Sequence, residues 1–319
     1  MNSIDGYTTY AKPFLKWAGG KRQLIPAIKN ALPKDFSHRE SITYIEPFIG
    51  SGAVLFWLLQ EYPNIHKAVI NDINSDLTQA YSTIKNTPEA LIDVLKNIEE
   101  TYYNLSSEDA RKDYFLQNRT EFNKRIANPV QNTALLIFLN KTCFNGLYRV
   151  NSKNHYNVPF GKNHNPNICD TETILADSRI LQKVTILNGD YSKTLRHSAQ
   201  DTFFYIDPPY KPISRTSRFN SYANETFDDK EQVRLKKFCV SLSKKGHQWL
   251  LSNSDSRNIN PNDNFFDELY SGKNMFVNRV KAKRAINSKV GKRGQINELL
   301  ISNYTNASVN TTPLPDIVI

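Results

Sequence analysis

The segment Asp207-Pro208-Pro209-Tyr210 places a carboxylate, two prolines and an aromatic ring directly after the apolar run 203–206. Two prolines cannot continue a central strand, so the chain must leave the sheet here, at the edge where α/β sheets bind ligands. Asp207 and the carbonyl of Pro208 could accept the two N–H groups of an exocyclic adenine amine. These bonds would free the nitrogen lone pair to attack an electrophilic methyl group, through positioning and electrostatics alone. The alternative interpretation is an ordinary type I turn.

A second cluster, Glu46-Pro47-Phe48-Ile49-Gly50-Ser51-Gly52, follows the apolar run 42–45. Glycines at a strand-to-helix turn let a ligand approach the backbone closely. Asp72 ends the next apolar run, where a carboxylate can accept hydrogen bonds from ribose hydroxyls. Leu55 occupies the third glycine position of the dinucleotide fingerprint, which disfavours a pyrophosphate ligand and hence a nicotinamide oxidoreductase. A nucleoside without phosphates, such as S-adenosylmethionine, fits better; a plain tight turn with a surface aspartate fits these residues equally well.

The segment 14–21 contains Trp17 and Lys21 around two glycines. Trp17 could stack on a flat ring, and Lys21 could pair with a carboxylate. The alternative is a core tryptophan beside a turn, and these residues alone favour that alternative.

Seven short runs rich in β-branched and aromatic residues predict the strands that carry these segments. They are 42–45, 68–70, 183–187, 203–206, 249–252, 275–280 and 298–302. The first five are mostly apolar, as expected for strands buried on both faces. Helical patterns at 53–60 and 228–245 alternate with them, so we predict an α/β sheet with helices on both sides. The last two strands are predicted to form an antiparallel hairpin at the end of the sheet.

The stretch 76–161 interrupts this alternation. Helices are predicted at 76–85, 90–103, 109–126 and 131–140, followed by a polar loop at 144–162. An all-helical block between two strands of an α/β sheet is often a separate recognition module. We therefore predict a catalytic domain of residues 1–76 and 166–319 and a target-recognition domain of residues 77–165.

The charge balance points to a polyanionic partner. The chain has 41 Lys and Arg against 31 Asp and Glu, a net charge of +10. Residues 273–297 contain eight basic residues and no acidic one: Lys273, Arg279, Lys281, Lys283, Arg284, Lys289, Lys292 and Arg293. One-sided charge over this length favours a phosphate backbone over an ordinary solvated face.

Several other classes of protein are disfavoured. No apolar run approaches the roughly 18 residues that span a bilayer, and no secretory signal is visible, so we expect a cytoplasmic protein without a membrane partner. Three cysteines at unpatterned spacing predict neither a disulfide framework nor a metal site. None of them follows a proline, so the Pro-Cys nucleophile of 5-methylcytosine chemistry is absent, as is the zinc-deaminase pattern.

Taken together, the motifs resemble the Dam-type (class alpha) DNA adenine N6-methyltransferases, whose recognition domain lies between the cofactor and catalytic motifs. The resemblance runs from Phe14 to Tyr304. It rests on six segments in a fixed order: 14–21, 46–52, 71–77, 144–149, 157–161 and 207–210.

The resemblance implies a Rossmann-like, S-adenosylmethionine-dependent methyltransferase sheet with an inserted, mainly helical DNA-recognition domain. It implies catalytic roles for Asp207, Pro208 and Tyr210. Cofactor contacts are implied for Trp17, Lys21, Glu46, Pro47, Phe48, Gly50, Gly52, Asp72 and Asp207. DNA contacts are implied for Lys16, Phe144, Asn145, Leu147, Arg149 and Pro159, with Phe144 as an aromatic wedge and Arg149 reading a guanine.

The implied partner is double-stranded DNA, and the implied target is 5′-GATC-3′. Departures from the family pattern at His155-Tyr156 and Asn163 leave one outer base of that target open. We expect a monomer, with a possible cognate restriction endonuclease encoded separately. Two alternatives remain: an amino-methyltransferase acting on cytosine N4 or an RNA base, and a DNA-binding protein with a decayed catalytic pocket. The motif order disfavours the first, and the intact Gly50, Asp72, Asp207 and Tyr210 disfavour the second.

Overall fold

The computed structural model of the protein describes residues 10–17, 19–210, 227–283 and 295–305. Its strands are β1 (Ile42–Glu46), β2 (Ile65–Asp72), β3 (Val184–Asn188), β4 (Thr202–Ile206), β5 (Gln248–Ser254), β6 (Phe276–Lys283) and β7 (Gln295–Ser302). They form one sheet in the order β3-β2-β1-β4-β5-β7-β6. The first five strands are parallel, and β7 runs antiparallel to both β5 and β6. All seven predicted strands and the antiparallel hairpin are confirmed.

The helices are α1 (Ile25–Ala31), α2 (Ala53–Glu61), α3 (Ser75–Asn86), α4 (Pro88–Asn104), α5 (Glu108–Lys124), α6 (Pro129–Thr142), α7 (Thr171–Leu181), α8 (Asp229–Lys244) and α9 (Phe265–Leu269). Local sequence fixes several of their starts. Asn74, Ser107 and Asn128 each accept a hydrogen bond from the backbone N–H three residues later, which satisfies a donor that the helix leaves unpaired.

Both faces of the sheet are covered, as the sequence predicts. Phe203 and Tyr205 of β4 pack into the larger core with α2, α3 and α7, whereas Phe204 and Ile206 pack into a second core with α8 and α9. All five residues of β4 are therefore buried, which explains the unbroken apolar run.

The four helices predicted within 76–161 are present as α3 to α6. The proposed domain boundary at residue 77 lies in the first turn of α3, which packs against β2, β3 and α7. After α6 the chain forms an irregular hairpin, with bridges between Cys143 and Phe160 and between Val150 and Tyr156. Asn123 of α5 holds this hairpin, because its amide donates to the carbonyl of Tyr156 (3.0 Å) and accepts from that residue's N–H (2.7 Å). Among the described residues, no helix is both long and apolar enough to cross a membrane.

One member of the basic run is neutralised within the protein. The Nε of Arg279 donates to Asp255 Oδ2 (2.9 Å), and its two Nη atoms donate to Asp267 (3.0 and 2.6 Å). The Asp255 side chain is only 1% exposed. The run contains no acid in sequence, but the fold supplies two from elsewhere, so Arg279 joins β6 to the end of β5 and to α9. Arg284, Lys289, Lys292 and Arg293 lie outside the described residues.

We expect Arg279→Ala to lower the free energy of unfolding by roughly 2–3 kcal/mol, because it leaves buried Asp255 without its cation. Urea denaturation measures this change. Lys281→Ala, at an exposed position two residues along the same strand, is the control and should change the free energy by less than about 0.5 kcal/mol. Equal losses of unfolding free energy in both variants would contradict a stabilising role for the Arg279–Asp255 ion pair.

Candidate active site

Three parallel strands end at the same edge of the sheet. Because β1 lies between β2 and β4, the turn after Glu46, the side chain of Asp72 and the segment beginning at Asp207 all meet there. Gly50 N–H donates to Asp72 Oδ2 (3.2 Å), which joins the two halves of the predicted cofactor motif. The structure thus brings together the glycine turn with Asp72 and the Asp207–Tyr210 segment, which are more than a hundred residues apart in the sequence.

The glycine turn is compact and tightly packed. Gly52 has a φ of 72°, and a Cβ there would lie 2.5 Å from the hydroxyl of Tyr81, so only glycine fits. That hydroxyl donates to the carbonyl of Gly50 (3.0 Å). On its other side, the turn contacts Trp17, whose Cδ1 lies 3.3 Å from the Cβ position of Gly50.

Asp72 is held in place by backbone donors. Its Oδ1 accepts from Asn74 N–H (3.0 Å), and its Oδ2 accepts from Gly50 N–H. Burial raises the pKa of Asp72, while these N–H groups act in the opposite direction. Neighbouring Asn71 donates to the carbonyls of Pro47 (3.0 Å) and Gly189 (2.9 Å), which fixes the ends of β1, β2 and β3 relative to one another.

An ion pair between Lys21 and Asp207 lies at the centre of this edge. Lys21 Nζ is 2.8 Å from Asp207 Oδ1, and the Lys21 side chain is 6% exposed. The same ammonium donates to the carbonyl of Gly19 (3.1 Å) and to the Tyr210 hydroxyl, and it lies 4.2 Å from the centroid of the Tyr210 ring. Lys21 therefore fixes both ends of the Asp-Pro-Pro-Tyr segment.

Ser252 is a second donor to Asp207. Its Oγ donates to Oδ1 (2.9 Å) and lies 2.9 Å from the hydroxyl of Tyr205. The register of β4 with β5, which pairs Ile206 with Leu251, places these next residues side by side. Both donors use Oδ1, so among the described residues Oδ2 keeps its acceptor capacity. Burial raises the pKa of Asp207, while Lys21 and Ser252 oppose this rise.

Two further acids complete the site. Glu298 of β7 accepts a hydrogen bond from the Tyr210 hydroxyl (2.6 Å), and Glu46 accepts one from the hydroxyl of Tyr44 (2.7 Å). Burial raises the pKa of Glu298 and raises that of Glu46 well above its ordinary value. The carboxyl groups of Glu46, Asp72, Asp207 and Glu298 thus all lie at this edge of the sheet, and Lys21 pairs directly with that of Asp207.

The structure places other predicted cofactor residues against protein partners. Trp17 stacks on the ring of Tyr148, with centroids 5.1 Å apart and an interplanar angle of 28°. Phe48 packs against the rings of Tyr191 (5.0 Å) and Phe227 (5.8 Å). The carboxylate that Lys21 meets is that of Asp207, within the protein.

Five of the six predicted DNA-contact residues lie on the hairpin, and the sixth, Lys16, directly precedes Trp17. Phe144 is 52% exposed, and its N–H donates to the carbonyl of Pro159 (2.9 Å). Asn145 has a φ of 57°, a conformation that non-glycine residues adopt rarely. Lys16, Asn145 and Pro159 are exposed, and Leu147 is half-buried.

Arg149 is oriented by its cross-strand neighbour Asn157. Its Nε donates to Asn157 Oδ1 (2.7 Å), and its Nη2 donates to the backbone carbonyl of Asn157 (3.2 Å). The Nε side of the guanidinium therefore faces the hairpin, and the edge formed by Nη1 and Nη2 faces away from it.

Sequence reasoning missed Ser252, Glu298 and Asn157 as functional candidates. Ser252 directly follows the apolar run 249–251 of β5, and Glu298 directly precedes the apolar run 299–301 of β7; a polar residue at the end of a buried run was the available signal. Ile73 was also missed; it follows Asp72 directly and is 57% exposed, so its apolar side chain is accessible at the same edge.

Residues 17–286 match the family of D12 class N6 adenine-specific DNA methyltransferases. The chain belongs to this family. It is 45% identical over 296 residues to the type II methyltransferase M.MjaIII of Methanocaldococcus jannaschii, covering 92% of this chain and 99% of that protein. It is 38% identical to M1.LlaDCHI of Lactococcus lactis subsp. cremoris (96% and 100% covered) and 32% identical to the DNA adenine methylase of Haemophilus influenzae (91% and 92% covered).

The family resemblance and the enzyme class predicted from the sequence are therefore confirmed. The chain is an adenine-specific DNA methyltransferase with a methyltransferase-type α/β fold.

We expect Ser252→Ala to move the acid limb of the pH–rate profile to higher pH. The Ser252 hydroxyl stabilises ionised Asp207, so its removal raises the pKa of Asp207. If methyl transfer needs the carboxylate, activity is then lost sooner as the pH falls. Measuring kcat/KM against pH tests this, with Ser243→Ala, whose hydroxyl bonds Trp249, as the control. If the acid limb of Ser252→Ala stays at the wild-type pH, Ser252 does not control the ionisation of a carboxylate that methyl transfer needs.

Proposed function

We propose that this enzyme transfers a methyl group from S-adenosylmethionine to N6 of an adenine flipped out of double-stranded DNA, within 5′-GATC-3′. The observation that carries the proposal is the meeting of the Asp207–Tyr210 segment with the glycine turn and Asp72 at one sheet edge. That edge adjoins the hairpin with exposed Phe144, through the stacked pair Trp17 and Tyr148.

The residues at the sheet edge fit the proposed cofactor. When bound, S-adenosylmethionine supplies an electrophilic methyl group on a positively charged sulfur. Asp72 and Asp207 are the carboxyl groups at this edge that are suited to attract a cationic ligand. Asp72 is suited to accept ribose hydroxyls, and the exposed side chain of Ile73 offers an apolar face to a purine ring. Trp17 borders the turn at Gly50, and Pro47, whose carbonyl is held by Asn71, precedes that turn.

The adenine amine is proposed to bind Asp207 and Pro208. Asp207 Oδ2 would accept one N–H, since Lys21 and Ser252 occupy Oδ1. The Pro208 carbonyl would accept the other, because none of the described residues donates to it. Lys21 lies over one face of the Tyr210 ring, so the opposite face is assigned to the flipped base. This arrangement localises the nitrogen lone pair without a covalent intermediate.

Base flipping is assigned to Phe144 and Asn145. Extruding a base costs a few kcal/mol of unstacking and unpairing. An inserted aromatic side chain offsets part of that cost, and Phe144 is a half-exposed aromatic residue in the short turn Phe144–Gly146 directly after α6. Asn145 is next to Phe144 and has a left-handed backbone conformation; it is assigned to help extrude the adenine.

Recognition of the DNA target sequence is assigned to the same hairpin. The Nη edge of Arg149 matches guanine O6 and N7, and Asn157 orients it for that contact. Leu147 and Pro159 are suited to contact thymine methyl groups, and Lys16 is suited to contact phosphate or an outer base. The GATC target itself is taken from the resemblance to Dam-type enzymes.

The biological setting is proposed from the relatives. M.MjaIII and M1.LlaDCHI carry the name of type II methyltransferases, which supports a restriction-modification role beside a separately encoded endonuclease. We propose that the enzyme acts as a monomer in the cytoplasm.

A plasmid-labelling experiment tests the proposed function. The enzyme is incubated with plasmid and methyl-labelled S-adenosylmethionine, and the plasmid is digested with nucleases that differ in sensitivity to methylated GATC. Label in N6-methyladenine together with altered cleavage at GATC is the expected result. Label in adenine with unchanged cleavage at GATC would overturn the target, and label in cytosine would overturn the reaction.

We expect Asp207→Asn to reduce methyl transfer by at least about a hundredfold while leaving the fold and DNA binding intact, because the amide cannot supply a charged acceptor at Oδ1 and Oδ2. Asp201→Asn, an exposed carboxyl six residues earlier, is the matched control and should retain activity. Near-normal turnover in Asp207→Asn would overturn the assigned role.

We expect Arg149→Ala to lose roughly 10- to 100-fold of discrimination at one base pair, since a bidentate guanine contact is worth about 1–3 kcal/mol. The measurement is the ratio of kcat/KM on cognate duplexes and duplexes changed at one base pair. Lys153→Ala removes an exposed positive charge from the same hairpin and should keep the ratio. An unchanged ratio in Arg149→Ala would show that Arg149 does not read sequence.

A further inference from the structure

One buried amide connects the cofactor side of the site to the DNA side. Asn140 lies near the end of α6 and is 1% exposed. Its Oδ1 accepts from Lys16 N–H (2.9 Å), and its Nδ2 donates to the carbonyls of Lys16 (2.9 Å) and Gly146 (2.9 Å). Both N–H groups of the Asn140 amide are thus used, and they join the segments around Lys16 and Gly146, which are distant in sequence.

The Lys16 end of this connection belongs to the proposed cofactor region. Asn140 holds the backbone of Lys16 through both its N–H and its carbonyl, as a neighbouring strand would. The next residue is Trp17, whose indole contacts Gly50 and stacks on Tyr148. The position of Asn140 therefore fixes the segment that lies against the glycine turn.

The Gly146 end belongs to the loop that carries Phe144. Gly146 has a φ of 64°, and a Cβ there would lie 2.4 Å from Lys16 Cδ, so the loop packs directly on the Lys16 side chain. Phe144 is two residues away, and its N–H is held by the carbonyl of Pro159. Since a buried amide with three good bonds permits little displacement, Asn140 ties the loop directly to the Lys16 segment.

We propose that Asn140 is a positioning residue that sets the aromatic wedge Phe144 at a fixed distance from the methyl-donor site. This inference rests on the proposed function, in which Phe144 helps to extrude the adenine. Asn140 touches neither base nor cofactor, so its loss should impair extrusion and spare the transfer step on a base that is already unpaired.

The test uses two duplexes that carry the recognised site. In one, 2-aminopurine replaces the target adenine and its fluorescence reports extrusion. In the other, the target adenine faces an abasic position, so that extrusion costs little. For Asn140→Ala we expect about tenfold less methylation of the fully paired duplex and a weaker 2-aminopurine signal, but a rate within about twofold of wild type on the abasic duplex.

The matched control is Asn132→Ala on the same helix. Asn132 is also buried and hydrogen-bonded, donating to Gln79 Oε1 (2.8 Å), but it bonds neither Lys16 nor the loop. A destabilised fold alone should lower activity on both duplexes in either variant. If Asn140→Ala does not fold, Gly146→Ala tests the same junction, because its Cβ pushes the loop away from Lys16.

The outcomes separate this inference from the proposed function. Rescue on the abasic duplex in Asn140→Ala or Gly146→Ala, but not in Asn132→Ala, supports the positioning role. Equal losses on both duplexes, or a wild-type 2-aminopurine signal in Asn140→Ala, overturn it. No 2-aminopurine signal with the wild-type enzyme would instead overturn base flipping itself.

Discussion

The ion pair between Lys21 and Asp207 is the interaction on which the candidate catalytic edge depends. A buried carboxyl group tends to take up a proton, and burial raises the pKa of Asp207 in this way. The neighbouring ammonium of Lys21 opposes that tendency. Lys21 begins the short 3-10 turn Lys21–Leu24 that precedes the first strand, whereas Asp207 follows the fourth. The pair therefore joins the beginning of the chain to its catalytic segment, and the Tyr210 hydroxyl and Glu298 extend the same network to β7.

Strand order explains why residues so far apart in sequence act together. Because β1 lies between β2 and β4, the carboxyl ends of these three parallel strands lie side by side, and the residues that follow them meet at one edge. The register of β5 then delivers Ser252 beside Asp207. The hairpin after α6 is joined to this edge by Asn140 and by the stack of Trp17 on Tyr148. A few side-chain contacts thus fix the position of the hairpin, the proposed DNA-binding part, relative to the sheet edge, the proposed site of methyl transfer.

The fold was largely predictable because each element has a local signature. Buried strands appear as apolar runs, and helices α3, α5 and α6 begin at Asn or Ser caps. The contiguous motifs of the site were predictable for the same reason. Ser252, Glu298 and Asn140 were not, because each contributes one polar group whose partner is defined only by tertiary packing. Arg279 shows the converse, since a basic run in sequence can be neutralised by acids from another element.

The distribution of charge follows the opposite charges of the proposed substrates. The chain as a whole carries +10, which attracts the phosphate backbone of DNA. The candidate catalytic edge instead contains the carboxyl groups of Glu46, Asp72, Asp207 and Glu298, with Lys21 paired to Asp207. An uncharged base and the proposed cationic methyl donor are better suited to this edge than a phosphate group. Burial separates the acids of this edge from exposed basic side chains such as Lys16. In the proposed reaction the duplex remains at the surface and a single neutral base enters the edge, and exposed Phe144 is the residue proposed to help that base leave the stack.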